Sequence, residues 1–196
     1  MHKNRLLKIL ISLLFLLTVH SIALADTYEV DPAHSTLNFS VGHLGLTDID
    51  GRFGDFSGTI QWSLEDPENT SISFTAQAKS IDTGVEQRDD HLRTPDFFDA
   101  ETHPTLNFES TRVTHLGENR YRVDGDLTIH GVTKAITTTA RIIGPKEAQG
   151  TEKIGFRTTF AINRLDYKVG EGKFSSDAMI GHTVFIEVKG EANRAK

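Results

Sequence analysis

The sequence predicts an all-β protein with one short helical insert, and three observations carry that prediction. Apolar and polar residues alternate with period two through most of the chain. Stretches rich in Gly, Pro, Asn and Asp break the alternation at regular intervals. Only the segment around residues 83–104 carries helical signals instead. Strands of this kind roll into a barrel or stack into a sandwich, and alternation alone does not choose between them.

The leading residues read as a secretory signal. Lys3, Arg5 and Lys8 form a basic start, Ile9 to Val19 an apolar stretch, and Ala23-Leu24-Ala25 a small-x-small cleavage pattern. The expectation is a signal peptide over residues 1–25, cut near Ala25, and one exported, soluble domain over residues 26–196. No later stretch is apolar enough for a membrane helix. Cutting there removes three basic residues and no acidic one, taking the net charge from −6 to −9. A phosphate backbone repels such a surface, so nucleic acid is a poor partner. The chain has no cysteine, which excludes a disulfide framework and a thiolate metal site.

Strand phase assigns the faces in order. Leu37, Phe39 and Val41 share a side, as do Phe56, Ile60, Trp62 and Leu64, with Gly58 between them as a bend or close-contact point. Ile72, Phe74, Ala76 and Ala78 follow, then Phe108 in "TLNFEST", and Tyr121, Val123, Leu127 and Ile129. Ile154, Phe156, Phe160 and Ile162 form the next set, and Val184, Ile186 and Val188 the last. In "TKAITTTARIIG" the adjacent Ile142 and Ile143 leave the phase ambiguous. The turns "EDPEN", "LGENR" and "HGVT" separate about eight strands, with a further short one at "TYEV".

The insert opens with Thr83 and Glu86 at capping-box spacing. Asp89 and Arg93 have the spacing of a helical ion pair. Thr94-Pro95 predicts the start of a second short helix. Phe97 and Phe98 would anchor it to apolar surface, and His103-Pro104 returns the chain to extended backbone.

Catalytic chemistry finds little purchase. Asp89, Asp90 and His91 are acid–base candidates, yet a charge pair with Arg93 and a hydrogen bond from His91 to a neighbouring loop account for them. The histidines after residue 25 are His34, His43, His91, His103, His115, His130 and His182, and none forms His-x-His or His-x-x-x-His. Convergence from distant strands, for example of His34, His43 and His91, is the one arrangement left for a metal site, and no metal or cofactor is expected. There is no Gly-x-Ser-x-Gly elbow. "GRFGDFSG" is glycine-rich, but no helix follows it to cradle a phosphate, and its glycines suit bends in a curved sheet. The inward aromatic residues either fill an ordinary core or line a hollow barrel that holds one small apolar ligand.

Four stretches carry a family resemblance: "VDPAHSTLNFSVGHLGLTDIDGRFGDFSG", "SIDTGVEQRDDHLRTPDFFDAETHPTLNFEST", "GDLTIHGVTKAITTTARI" and "GFRTTFAINRLDY". In this order the chain resembles the YceI-like family of periplasmic lipid- or polyisoprenoid-binding proteins. The resemblance implies an extended eight-stranded antiparallel barrel of lipocalin-like shape, with the insert packed beside it. It also implies an apolar tunnel for an isoprenoid lipid, an isoprenoid quinone or a fatty amphiphile, without catalysis. By strand phase the expected ligand contacts are Leu37, Phe39, Val41, Phe56, Ile60, Trp62, Ile72, Phe74, Phe108, Leu127, Ile129, Phe156 and Phe160. His91, Leu92, Phe97 and Phe98 are expected near the tunnel mouth, in an insert that is mainly scaffold. The family's Arg-x-Asp-Phe-Gly appears here as Arg164-Leu165-Asp166-Tyr167-Lys168. The competing readings are an enzyme acting on a lipid or quinone through His34, His43, Asp89 and His91, and a periplasmic interaction or stress-response protein. A homodimer would be unsurprising.

Overall fold

The computed structural model describes residues 25–63 and 65–196. The proposed leader and Leu64 lie outside them, apart from Ala25. Eleven β-segments form one sheet: β1 Asp26–Val30, β2 Thr36–His43, β3 Thr47–Phe53, β4 Phe56–Trp62, β5 Ser71–Gln77, β6 Ile81–Asp82, β7 Thr105–Gly117, β8 Arg120–Ile129, β9 Val132–Ala148, β10 Thr151–Asn163 and β11 Ile180–Arg194.

Six of these segments are halves of three bent strands. β1 and β2 are parted by a single turn at Pro32–His34, and both lie along β11, Tyr28 facing Arg194 and Leu37 facing Val188. β3 and β4 bend at Gly54 and Asp55 and pair with β2 and β1 in turn. β5 and β6 bend at Ala78–Ser80 and pair with β4 and β3. The remaining neighbours run β5-β7-β8-β9-β10-β11, every pairing antiparallel. The result is a closed barrel of eight strands in sequential order. Closure leaves no long free edge, which an exposed sheet of this size would otherwise have to protect.

The strand at Thr47–Phe53 escapes prediction because its alternation is weak. Ile49 and Phe53 share the inward face with Gly51, while Asp48, Asp50 and Arg52 point the other way. Register with β10 resolves the ambiguous phase of β9: Ile142 faces Phe156 and is buried, whereas Ile143 is exposed.

One barrel end is solid. Tyr28, Trp62 and Tyr121 are each buried, and Tyr28 meets Trp62 edge-on with ring centroids 6.2 Å apart. Two polar tips need partners there. The Trp62 indole N–H donates to the Tyr121 hydroxyl at 3.1 Å, and the Tyr28 hydroxyl donates to Glu152 at 2.6 Å. Burial and that carboxylate push the Tyr28 hydroxyl well above the usual tyrosine range. The other end gathers the β2–β3 hairpin, the insert, the β8–β9 turn and the loop between β10 and β11.

In the insert, α1 spans Glu86–Leu92 with Val85 at its N-cap and no side-chain cap. The capping box does not form. Thr83 instead donates from its backbone N–H (2.9 Å) and hydroxyl (2.5 Å) to Asp89, which is buried. With Asp89 so engaged, Arg93 pairs with Asp90 at 2.8 Å and not with Asp89. Arg93 also donates to the carbonyls of Lys79 and Ile81, fastening α1 to the β5–β6 bend. No second helix follows Pro95. Residues 94–99 form tight turns in which the Thr94 carbonyl accepts from the N–H groups of Phe97 and Asp99.

Candidate functional site

Between the plugged end and the loops of the other end lies a cavity of 440 Å³. That falls within the usual size of a small-molecule site. Its walls are the inward faces of the barrel strands, so period two decides which side chains reach it. Leu37, Phe39 and Val41 of β2, Ile60 of β4, and Ile72 and Phe74 of β5 line it. Phe108 of β7, Leu127 and Ile129 of β8, and Phe156 and Phe160 of β10 complete the residues that phase places there. His91, Leu92, Phe97 and Phe98 reach it from the insert.

Phe56 and Trp62 point inward yet do not line the cavity. Phe56 is buried beneath Phe74, the rings stacked with centroids 5.6 Å apart and 20° between planes. Trp62 belongs to the plug at the solid end. Phase reports the face of a strand but neither the depth along the barrel axis, which removes Trp62, nor the cover of a neighbouring ring, which removes Phe56.

Other wall residues come from segments that phase could not read. Phe53 belongs to the unanticipated β3, and Tyr167, Val169 and Phe174 come from the loop between β10 and β11. That loop is organised by Arg164, only 4 % exposed. Its guanidinium donates to five carbonyls: Nε to Gly181 (3.0 Å), Nη1 to Val169 and Gly170 (both 2.9 Å), and Nη2 to Phe174 (2.7 Å) and Ile180 (2.9 Å). Every N–H is used. No donor is left for a ligand, so Arg164 shapes the cavity end without binding through its charge. Burial pulls its pKa down from the usual arginine value, with Asp177 opposing. Tyr167 beside it is pushed up to about 12 by the same burial.

The insert and this loop clasp each other over the cavity. His91, Phe97 and Phe174 form an aromatic trio with centroid separations of 5.0 to 5.2 Å. Asp96 bridges the two segments, 3.1 Å from His91 Nε2 and 3.0 Å from Lys173 Nζ. Those two partners hold the Asp96 carboxyl below the usual carboxylate range. The hydrogen bond of His91 thus stays within the insert, where one to a neighbouring loop was expected, and His91 meets the β10–β11 loop through the Phe174 ring.

The groups considered for catalysis are dispersed. His34 pairs with Asp31 at 2.9 Å, Asp89 is engaged by Thr83, and only His43 and His91 touch the cavity. His34, His43 and His91 do not converge as a metal triad. Among the described residues the group with metal-ligand proximity is Asp99, His103 and His130, outside the cavity.

Comparison with known proteins agrees with this geometry. A crystal structure of BcnA from Burkholderia cenocepacia superposes with a TM-score of 0.77 at 25% identity, covering 83% of this chain and 99% of that one. A polyisoprenoid-binding domain from Saccharophagus degradans, implicated in plant cell wall breakdown, has the same fold at 19% identity, with a TM-score of 0.68 and coverage of 87% and 99%. The UPF0312 protein of Ectopseudomonas mendocina is 36% identical over 150 residues, 75% of this chain and 78% of that protein. The family model for the YceI-like domain matches residues 28–192, which run from within β1 to within β11. The chain therefore belongs to the YceI-like family.

Proposed function

We propose that this protein is a non-catalytic binder of an isoprenoid lipid, an isoprenoid quinone or a similar amphiphile, carrying or storing it in the periplasm. The observation that carries the reading is the cavity itself: 440 Å³ walled by aliphatic and aromatic side chains inside a closed barrel. Each methylene moved from water into such a space contributes about 0.8 kcal/mol, so a few prenyl units give strong binding without a charged contact. The shared fold of a polyisoprenoid-binding domain supports the same ligand class. The dispersal of His34, Asp89 and the cavity histidines supports a binder over an enzyme. The volume also speaks against an interaction protein with a filled barrel.

The lip of the cavity suits exchange with a lipid source. Leu44 (52 % exposed) and Leu46 (85 %) cap the β2–β3 hairpin, and the Leu44 N–H donates to the carbonyl of Met179, a cavity residue. Purification from the native envelope followed by organic extraction and mass spectrometry tests the proposal. The expected result is a stoichiometric prenyl amphiphile. Repeated recovery of empty protein that also takes up no prenyl lipid in vitro would reject it.

A further inference from the structure

Just outside the cavity, the rim carries a side-chain cluster that lipid binding does not use. Asp99 and His103 stand in the insert, and His130 in the two-residue turn between β8 and β9. One ligating atom from each lies within 4.8 Å of the other two. The two imidazoles meet edge-on with centroids 4.8 Å apart. His103 packs on the turn so closely that a Cβ at Gly131 would lie 2.6 Å from its Cε1.

A further observation points to a missing ligand. Nδ1 of His130 is buried and has no hydrogen-bond partner, a state that buried ring nitrogens rarely keep. The left-handed φ of 51° at His130 belongs to the two-residue hairpin turn itself.

We propose that Asp99, His103 and His130 bind a divalent first-row transition cation of the zinc class. Two imidazoles and one carboxylate form a borderline nitrogen–oxygen set, unsuited to calcium or magnesium, which favour oxygen alone. Three protein ligands leave a position for water. Ligation at about 2.0–2.2 Å requires the donors to draw in from their present spread, a small rotation for three half-buried side chains. The ion ties the insert to the barrel rim. Phe98, which immediately precedes Asp99, and Ile129, which immediately precedes His130, both line the cavity. The bound ion therefore fixes the mouth.

The test is calorimetric titration of chelator-stripped protein with zinc chloride, for wild type, His103→Gln and His130→Asn. Asn-Gly is the favoured pair for a two-residue hairpin turn, so His130→Asn keeps the fold while removing the imidazole. The expected result is one equivalent of zinc in the wild type and affinity weakened at least about tenfold in both variants. Zinc at about a hundred times Kd raises the wild-type Tm by roughly 5–10 °C and leaves His130→Asn unmoved. Uptake of an apolar fluorescent probe survives in His130→Asn, which separates this site from the cavity. Absence of zinc binding in the wild type, or retention of wild-type affinity in either variant, overturns the proposal.

Discussion

Phe74 lies flat over Gly58, its direct cross-strand partner, so closely that a Cβ at residue 58 would stand 2.6 Å from the ring. Phe39 covers Gly51, its own partner on the next strand, in the same way. Each glycine gives a large ring a place against the wall, where it would otherwise project into the lumen. A barrel of eight strands is narrow enough for side chains to fill it. The space beside these rings is kept open by what the glycines lack.

Gly58→Ala should therefore displace the Phe74 ring, costing about 1–3 kcal/mol by overpacking and weakening uptake of a prenyl lipid. Adding Phe74→Leu to that variant should recover most of the stability. Urea denaturation of the four proteins of this cycle checks the coupling; additive effects would contradict it.

Arg164→Met leaves five carbonyls, in the β10–β11 loop and at the start of β11, without their buried donor. It should destabilise the protein by about 3–5 kcal/mol, the range for removing one side of a buried charged network. Arg164→Lys restores up to three donors from a single point and should recover only part of that loss. Denaturation midpoints of both variants measure the difference.

Lys168 has φ 61° at the end of the Arg164–Tyr167 turn. A Cβ is unfavourable there by roughly 1–2 kcal/mol. Lys168→Gly should raise stability by about 1 kcal/mol after glycine's added entropy in the unfolded chain is counted. A rise in Tm of about 2–4 °C on thermal scanning is the expected result.

The mouth clasp should loosen in acid through Asp96. Its carboxyl is depressed below the ordinary 3.8 by His91 and Lys173. A depressed acid contributes fully above its unfolded pKa and loses that contribution as pH falls through the folded value. The Asp96 carboxylate's part of the closure should thus be present above about pH 4 and fade below it. Hydrogen exchange at Phe97 and Phe174 across this range should show the acid-side loosening, and Asp96→Asn should remove it.

Much of the wall was legible because period two is a backbone property. Leu37, Phe39, Val41 and their counterparts on the other strands lie on the cavity from phase alone. Depth and cover were not legible: Phe56 and Trp62 share the phase of Ile60 and yet sit behind Phe74 and in the plug. Nor could spacing foresee Arg164, whose acceptors are three carbonyls of a loop with no local pattern and two at the start of β11. Asp89 shows how a local contact just ahead of the helix overrides helical spacing, since Thr83 captures the carboxylate that Arg93 was expected to meet. His103 and His130 meet because the pairing of β7 with β8, Asn107 facing Thr128, carries the end of the insert beside the β8–β9 turn.

The most direct measurement is a crystal structure of the protein equilibrated with a defined prenyl lipid. The account predicts continuous density for a hydrocarbon tail in the lumen, in contact with Phe74, Phe108 and Phe160. Collapsed aromatic rings filling that space, with no lipid at saturating concentration, would contradict it.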